Sequence, residues 1–320
     1  MKAIIVREFG EADVMKIEEV RAPQAGAGQV VVRIEAAGVN PVDTYIRTGT
    51  HSQKPDLPYT PGKDAAGVID AVGEGVTRVK PGDRVYTAGS LGGTYAEYAL
   101  CSENEVHRLP DNVSFEQGAG VFVPYATAYR ALFQKAGGKA GETVLVHGAS
   151  GGVGIAAVQW AKNAGLTVFG TAGSEEGKRL AREQGADHVF DHSKENYLSE
   201  ILDAAGGRGV EIILEMLADH NLVKDFEVLA KYGRISIIGN RGSLDFNPRL
   251  AMGKDAVIYG LTLFSTPDAE MKKIHEAIYK GLSEGYLNPV IGGAFSLEDA
   301  PAAHRAVIEN KAAGKIVLKI

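Results

Sequence analysis

Cysteine is nearly absent. The 320 residues hold one, Cys101, so no internal disulfide can form, and its place in the strand-like stretch 95–101 reads as that of a small packed residue. An excess of positive charge is also missing. Lys and Arg number 34 against 40 Asp and Glu, a net charge of −6, which argues against a polyanion as principal partner, so nucleic acid is not expected. No apolar run approaches a membrane span, and residues 1–9 reach charge too soon for a signal peptide, so the expectation is a cytoplasmic protein with no membrane partner. There is no low-complexity tract and no fixed repeat, and the eight histidines are scattered without ligand spacing.

Glycine, at 40 residues, is what the chain has in plenty. The most informative cluster is TVLVHGASGGVG (143–154), followed directly by the helical apolar pattern of Ile155, Ala156, Val158, Gln159 and Trp160. This reads as a strand, a tight turn and a helix start. Backbone N–H groups unpaired at such a start, backed by the helix dipole, can hold a pyrophosphate, and glycine lets the anion approach the main chain. The spelling departs from G-x-G-x-x-G, because Ala149 stands at the first glycine and the register is Ala149, Gly151, Gly154. Glycines also serve ordinary turns, and context decides between the two. Short apolar runs at 143–147, 166–171, 188–191, 211–216, 234–239 and 256–264 alternate with helical patterns near 175–184, 195–205 and 221–231. Six such strands predict an α/β fold with a doubly wound parallel sheet that binds a dinucleotide at its switch point.

The region before 124 has a different character, with short strands bounded by glycine, proline and aspartate, so it reads as mainly β. Pro124 is placed for the first turn of a helix leading into the alternating pattern. After 264 come helical patterns at 268–277 and 297–307 and a final strand, a tail expected to return to the first domain. The expected division is therefore 1–124 with 265–320, and 125–264.

Five motifs stand in order along the chain: AGVNPVDTYIRTG (37–49), LPYTPGKDAAGV (57–68), GDRV (82–85), PYATAYRAL (124–132) and HGASGGVG (147–154). Together they resemble the medium-chain dehydrogenase/reductase superfamily, and within it the quinone oxidoreductase branch that includes zeta-crystallin. The resemblance implies a GroES-like catalytic domain, a Rossmann domain, NADPH as cofactor, a quinone acceptor and a homodimer or homotetramer. Zinc-dependent relatives offer a cysteine in the first motif and a His-Glu pair in the second, and many add a lobe of four cysteines. Here Asn40, Lys63 and Asp64 hold those places and the lobe is missing, so no zinc is expected, a cationic lysine repelling the ion.

NADH-selective proteins usually place an acidic residue just after the second strand. Here TVFGT (167–171) continues into AGS (172–174) with no carboxylate at the tip. The resemblance assigns Gly173, Lys178 and His192 to a 2′-phosphate pocket, with Lys178 as a point charge. The plainer readings are a solvated Lys178 and a dipole-offsetting role for Glu175 and Glu176. The resemblance also places Tyr45 near the nicotinamide, Thr127 at its carboxamide, Ser150, Gly151, Gly152 and Val153 at the pyrophosphate, and Asn221 near the ribose. It adds Gly239, Asn240 and Arg241 after the fifth strand and Leu261, Thr262 and Leu263 along the sixth. Taken alone, Asn221 reads as a helix cap, Arg241 as a surface charge and Thr127 as a local cap.

No Ser-His-Asp or Cys-His pairing is recognisable, so no catalytic acid is assigned. Tyr45, Asn40 and Tyr59 are candidates to orient a substrate carbonyl, or else satisfied, partly buried polar groups. Three functions stay open at this stage. They are an NADPH:quinone reductase, an NADPH-dependent reductase of enones or enoyl thioesters, and a non-catalytic nucleotide-binding structural or RNA-binding protein.

Overall fold

The computed structural model describes residues 1–52, 54–309 and 313–320. They divide into two compact units, residues 1–123 with 277–309 and 314–320, and residues 124–276.

The first unit is built on antiparallel strands. β1 (Lys2–Val6) and β2 (Met15–Glu19) form a ribbon, and β3 (Gln29–Val39), β4 (Asp64–Val72), β5 (Arg84–Ala88), β6 (Tyr98–Ser102) and β7 (Val106–Arg108) enter a seven-stranded sheet. Val30, Val32 and Ile34 alternate along β3 and bury their side chains with Ile69, Val85, Tyr95 and Cys101, the pattern of a sheet with one face on a core. β3 and β4 approach closely: a Cβ on Gly67 would lie 2.0 Å from the Arg33 carbonyl oxygen, beside a register shift at Ile34/Ala36. Helix α1 (Pro41–Thr48) follows β3. Pro41 starts it, the Asp43 carboxylate accepts the Asn40 N–H at 2.8 Å, and Gly49 ends it in the left-handed conformation at φ 74°.

The second unit holds six parallel strands: β8 (Thr143–Val146), β9 (Thr167–Thr171), β10 (His188–Phe190), β11 (Val210–Glu215), β12 (Leu229–Ile237) and β13 (Val257–Gly260). Their order is β10-β9-β8-β11-β12-β13, so the winding reverses between β8 and β11. Helices α2 (Gly152–Asn163), α3 (Glu175–Glu183), α4 (Tyr197–Ala204) and α5 (Ala218–Val228) connect the strands. Central strands are buried on both faces, which is why they read as continuous apolar runs. The tail forms α6 (Asp268–Glu284), β14 (Ile291–Ser296), α7 (Ala300–Glu309) and β15 (Lys315–Lys319), and β15 pairs with β3.

Several boundaries differ from the sequence expectation, among them that of the second unit, which runs to Glu276 and not to 264. Helix α5 begins at Ala218 and stops at Val228, because Leu229 leaves the helix and pairs with Val210. The sixth strand covers Val257–Gly260 only. As an edge it lasts as long as its ladder to Arg234–Ile237, and Leu263–Ser265 is a single 3₁₀ turn, so Leu261–Leu263 lie beyond the strand. The helical segment expected from Pro124 is already wound at Phe122 and widens into π turns at Phe122–Ala126 and Arg130–Lys135.

The Gly67 contact is testable. Gly67→Ala is expected to cost about 2–3 kcal/mol in urea unfolding, whereas Gly92→Ala, whose Cβ meets nothing within 4 Å, stays within about 0.5 kcal/mol of the parent. Equal effects would refute the close approach of β3 and β4.

Candidate active site

The six loops at the carboxyl ends of the parallel strands carry nearly all of the cofactor residues expected from the sequence. After β8, Gly148 turns the chain at φ 58° and Gly151 precedes the first turn of α2, Gly152-Val153-Gly154, which no side chain caps. These amides sit at the positive end of a 12-residue helix and can receive an anion. A Cβ on Gly154 would lie 2.1 Å from the Gly148 carbonyl oxygen, so glycine is required for the helix to pack this tightly on the turn. Ala149, the departure from the glycine pattern, is buried, and its N–H donates to the Thr171 carbonyl at 2.9 Å. Its methyl group is accommodated on the neighbouring strand, where a Cβ on Gly170 would lie only 2.7 Å from it.

Past β9, a Cβ on Gly173 would come 2.8 Å from His192 Nε2, so these two expected residues are brought together. Ser174 caps α3 by accepting the Gly177 N–H at 3.1 Å. Lys178 is buried rather than solvated. Its ammonium lies 2.5 Å from Glu175 and 3.0 Å from Asp191, and these carboxylates raise its pKa. Asp191 is held well below the usual carboxylate range by Ser193 and then Lys178. The sequence reading missed Asp191; its position next to His192, just past a strand end, was the available signal.

Past β11 and β12 the loops are sewn together. A Cβ on Gly239 would lie 2.2 Å from the Met216 carbonyl, Ala218 N–H donates to the Gly239 carbonyl, and Arg241 N–H donates to Asp219 at 3.0 Å. Asn240 donates to the Gly242 carbonyl, and the Arg241 side chain is exposed, as a surface charge would be. Asn221 is not a cap: it stands inside the first turns of α5, and its Nδ2 donates to Glu215 at 3.1 Å. Leu263 is buried, Leu261 half-buried and Thr262 exposed, while Thr127 is buried in the segment Phe122–Lys135. Glycines whose Cβ positions are filled, together with uncapped amides, fit an anionic dinucleotide.

In the first unit two of the three residues expected at zinc-ligand places, Asn40 and Asp64, belong to a closed polar cluster. Asn40 donates to Asp64 Oδ2 at 3.0 Å and accepts from the Lys315 ammonium, which also lies 3.1 Å from Asp64. Asp64 Oδ1 accepts the Val123 N–H. The cation of this cluster is therefore Lys315, 251 residues away in sequence, and not Lys63, which is half-buried and contributes its carbonyl to Thr87 and Gly89. A lysine at the head of the apolar run KIVLK was the signal for it.

Beside this cluster, Asp43 accepts from the Tyr95 hydroxyl at 3.3 Å, and His304 Nε2 lies 3.1 Å from the same hydroxyl. Burial pushes Asp43 up to about 6. Burial, then Arg47, pushes His304 down to about 3. Tyr59 is half-buried, its phenol pushed up to about 12 by burial and then Asp43, and its buried oxygen has no hydrogen-bond partner among the described residues. Tyr45 is half-buried on α1.

Comparison with known proteins covers the whole chain. Residues 26–111 match the alcohol dehydrogenase GroES-like domain and residues 152–279 match the zinc-binding dehydrogenase family. The chain is 48% identical to the quinone oxidoreductase of Homo sapiens over 99% of its length and 97% of that protein, and 32% identical to that of Pseudomonas aeruginosa over 99% of each. It superposes with TM-score 0.91 on the crystal structure of the Escherichia coli quinone oxidoreductase complexed with NADPH, at 27% identity, covering 100% of both chains. Among the described residues no helix is long and apolar enough to cross a membrane.

His304 supplies a stability test. Its folded pKa is depressed, so its contribution is complete above the unfolded value and is lost as pH falls toward about 3. Between about pH 7 and about pH 5 the parent should lose about 2 kcal/mol through this group by linkage, with Asp43 acting in the opposite sense. His304→Gln removes the loss assigned to His304, read by urea unfolding at both pH values. An unchanged pH dependence would contradict the burial of a neutral imidazole.

Proposed function

We propose a task for this chain as a member of the quinone oxidoreductases, the family to which it belongs within the zinc-binding dehydrogenases that carry a GroES-like domain: it reduces quinones with NADPH. The observation that carries the reading is the uncapped first turn of α2, packed on the Gly148 turn so closely that only glycine fits at 154. NADPH, when bound, supplies a hydride. The amides of 152–154 with Ser150 hold the pyrophosphate, and Asn221, already oriented by Glu215, meets a ribose. Gly239–Arg241, Leu261–Leu263 and Thr127 complete the cofactor contacts.

Lys178, His192 and Gly173 form the 2′-phosphate pocket. Glu175 and Asp191 fix the ammonium of Lys178 in place and also neutralise much of its field, so a phosphate competes with Asp191 for it. Tyr45 and Tyr59 lead as groups orienting a quinone carbonyl, ahead of Asn40, whose amide is engaged at both ends. Protons for the reduced quinone come from water, so no tuned acid is needed.

The chain works without zinc in this reading. A tetrahedral zinc site wants thiolates and imidazoles, whereas Asn40 and Asp64 already share the Lys315 ammonium, and an ion placed there would meet that positive charge. We also take the protein to act in the cytoplasm as a homodimer or homotetramer. The edge strand β13, with Val257 43% exposed, supports association of copies.

Two measurements test these assignments. Lys178→Ala should weaken NADPH by about tenfold and NADH by less than about twofold in fluorescence titrations, because only NADPH brings the phosphate. Equal losses would overturn the pocket. Dialysis against a chelator should leave quinone reduction unchanged and metal analysis should find zinc substoichiometric; activity restored by adding metal after stripping would overturn the zinc-independent reading.

A further inference from the structure

Behind the glycine turn lies a buried ionisable cluster that the proposed chemistry does not use. His147, one residue before Gly148, places Nε2 2.8 Å from Asp225 Oδ1 of α5 and 3.5 Å from Glu215 Oε2 of β11. Its Nδ1 is 3.3 Å from Thr171 Oγ1, which itself accepts the Gly148 N–H at 3.1 Å. Glu215 Oε1 accepts the Leu217 N–H and the Asn221 Nδ2–H. One buried network thus touches the turn after β8, the tip of β9 and the start of α5. The 2.8 Å between His147 Nε2 and Asp225 Oδ1 is a hydrogen-bond distance, shorter than the about 3.3 Å between ligands of a tetrahedral zinc ion at about 2.0–2.1 Å.

The charge does not balance if every carboxyl is ionised. One imidazolium faces two carboxylates, and the Tyr197 phenol of α4 also stands within reach of both carboxylates. The two remaining carboxyl oxygens, Glu215 Oε2 and Asp225 Oδ2, are buried with no hydrogen-bond partner. Both are acceptors as carboxylates. Glu215 and Asp225 interact directly, so a single proton on the pair turns one carboxyl into a donor toward the other and makes the cluster neutral overall.

We propose that Glu215, with His147 and Asp225, is a positioning group for the dinucleotide: a proton shared between the Glu215 and Asp225 carboxyl groups keeps Glu215 Oε1 on Leu217 and Asn221, and holding that proton is linked to cofactor binding. The proposal rests on the NADPH reading above. Burial followed by Asp225 pushes Glu215 up to about 7, with His147 opposing, so the proton is exchangeable near neutrality. A cofactor adds anionic groups at the turn beside His147, which stabilises the protonated cluster. Binding therefore takes up a proton and weakens as pH rises through and above 7.

The test has two arms. Infrared spectra of the cofactor-free protein should show a buried carboxyl band that disappears as pH rises through about 7 and is missing in Glu215→Gln. Calorimetric titration of NADPH at about pH 8, in buffers of different ionisation enthalpy, should show uptake of about 0.3–1 proton by the parent. Glu215→Gln retains the carbonyl acceptor and supplies a permanent donor to Asp225. It should bind within about threefold of the parent at about pH 7, with no uptake and a flatter pH profile. Glu215→Leu, which loses the acceptor, should bind about tenfold or more weakly. Undiminished uptake in Glu215→Gln, or no carboxyl titration in the parent, overturns the proposal. If the carboxyl titrates but NADPH does not bind, the cofactor reading has failed and the positioning role with it, while the shared proton stands.

Discussion

The first turn of α2 presents amides that no side chain caps, at the end of a helix dipole, on a glycine turn too tight for any Cβ at 154. Much of the second unit follows from keeping those amides in place. The turn is anchored on β9 through Ala149 and Thr171, His147 is bonded to the end of β11, and Gly239 allows the next two loops to close on one another. The strand order then places the turn at the switch point, where the winding of the sheet reverses.

Buried charge in both units is arranged around partners rather than left to solvent. In the first unit Asp64, Asn40 and Lys315 close on each other. In the second, Lys178 sits between Glu175 and Asp191, and His147 between Asp225 and Glu215. Such pairs add little net stability against an apolar core, yet removing one member leaves an uncompensated charge. They hold their side chains in single positions, as the proposed site for a polyanionic cofactor requires.

Periodicity made the sheet legible. Strands buried on both faces read as apolar runs, so β8 to β12 and the doubly wound class could be read from sequence, and the tight turn between β8 and α2 could be placed despite Ala149. Features set by distant partners were not legible. The length of β13 depends on the ladder to β12, and α5 gives way to strand at Leu229 because Val210 is there to pair with it. Lys315 belongs to Asp64 across 251 residues, His147 to Asp225 across 78, and Lys178 to Asp191 across 13. Lys315 and His147 have no local signature beyond a charged or titratable residue placed where the surrounding run is apolar, and Lys178, in the polar run EEGKRLARE, has not even that.

Amide-resolved NMR of the protein titrated with NADPH reads the central interaction directly. The account predicts that the N–H resonances of Gly152, Val153 and Gly154 shift as the cofactor saturates. Saturable binding that leaves all three unmoved would contradict it.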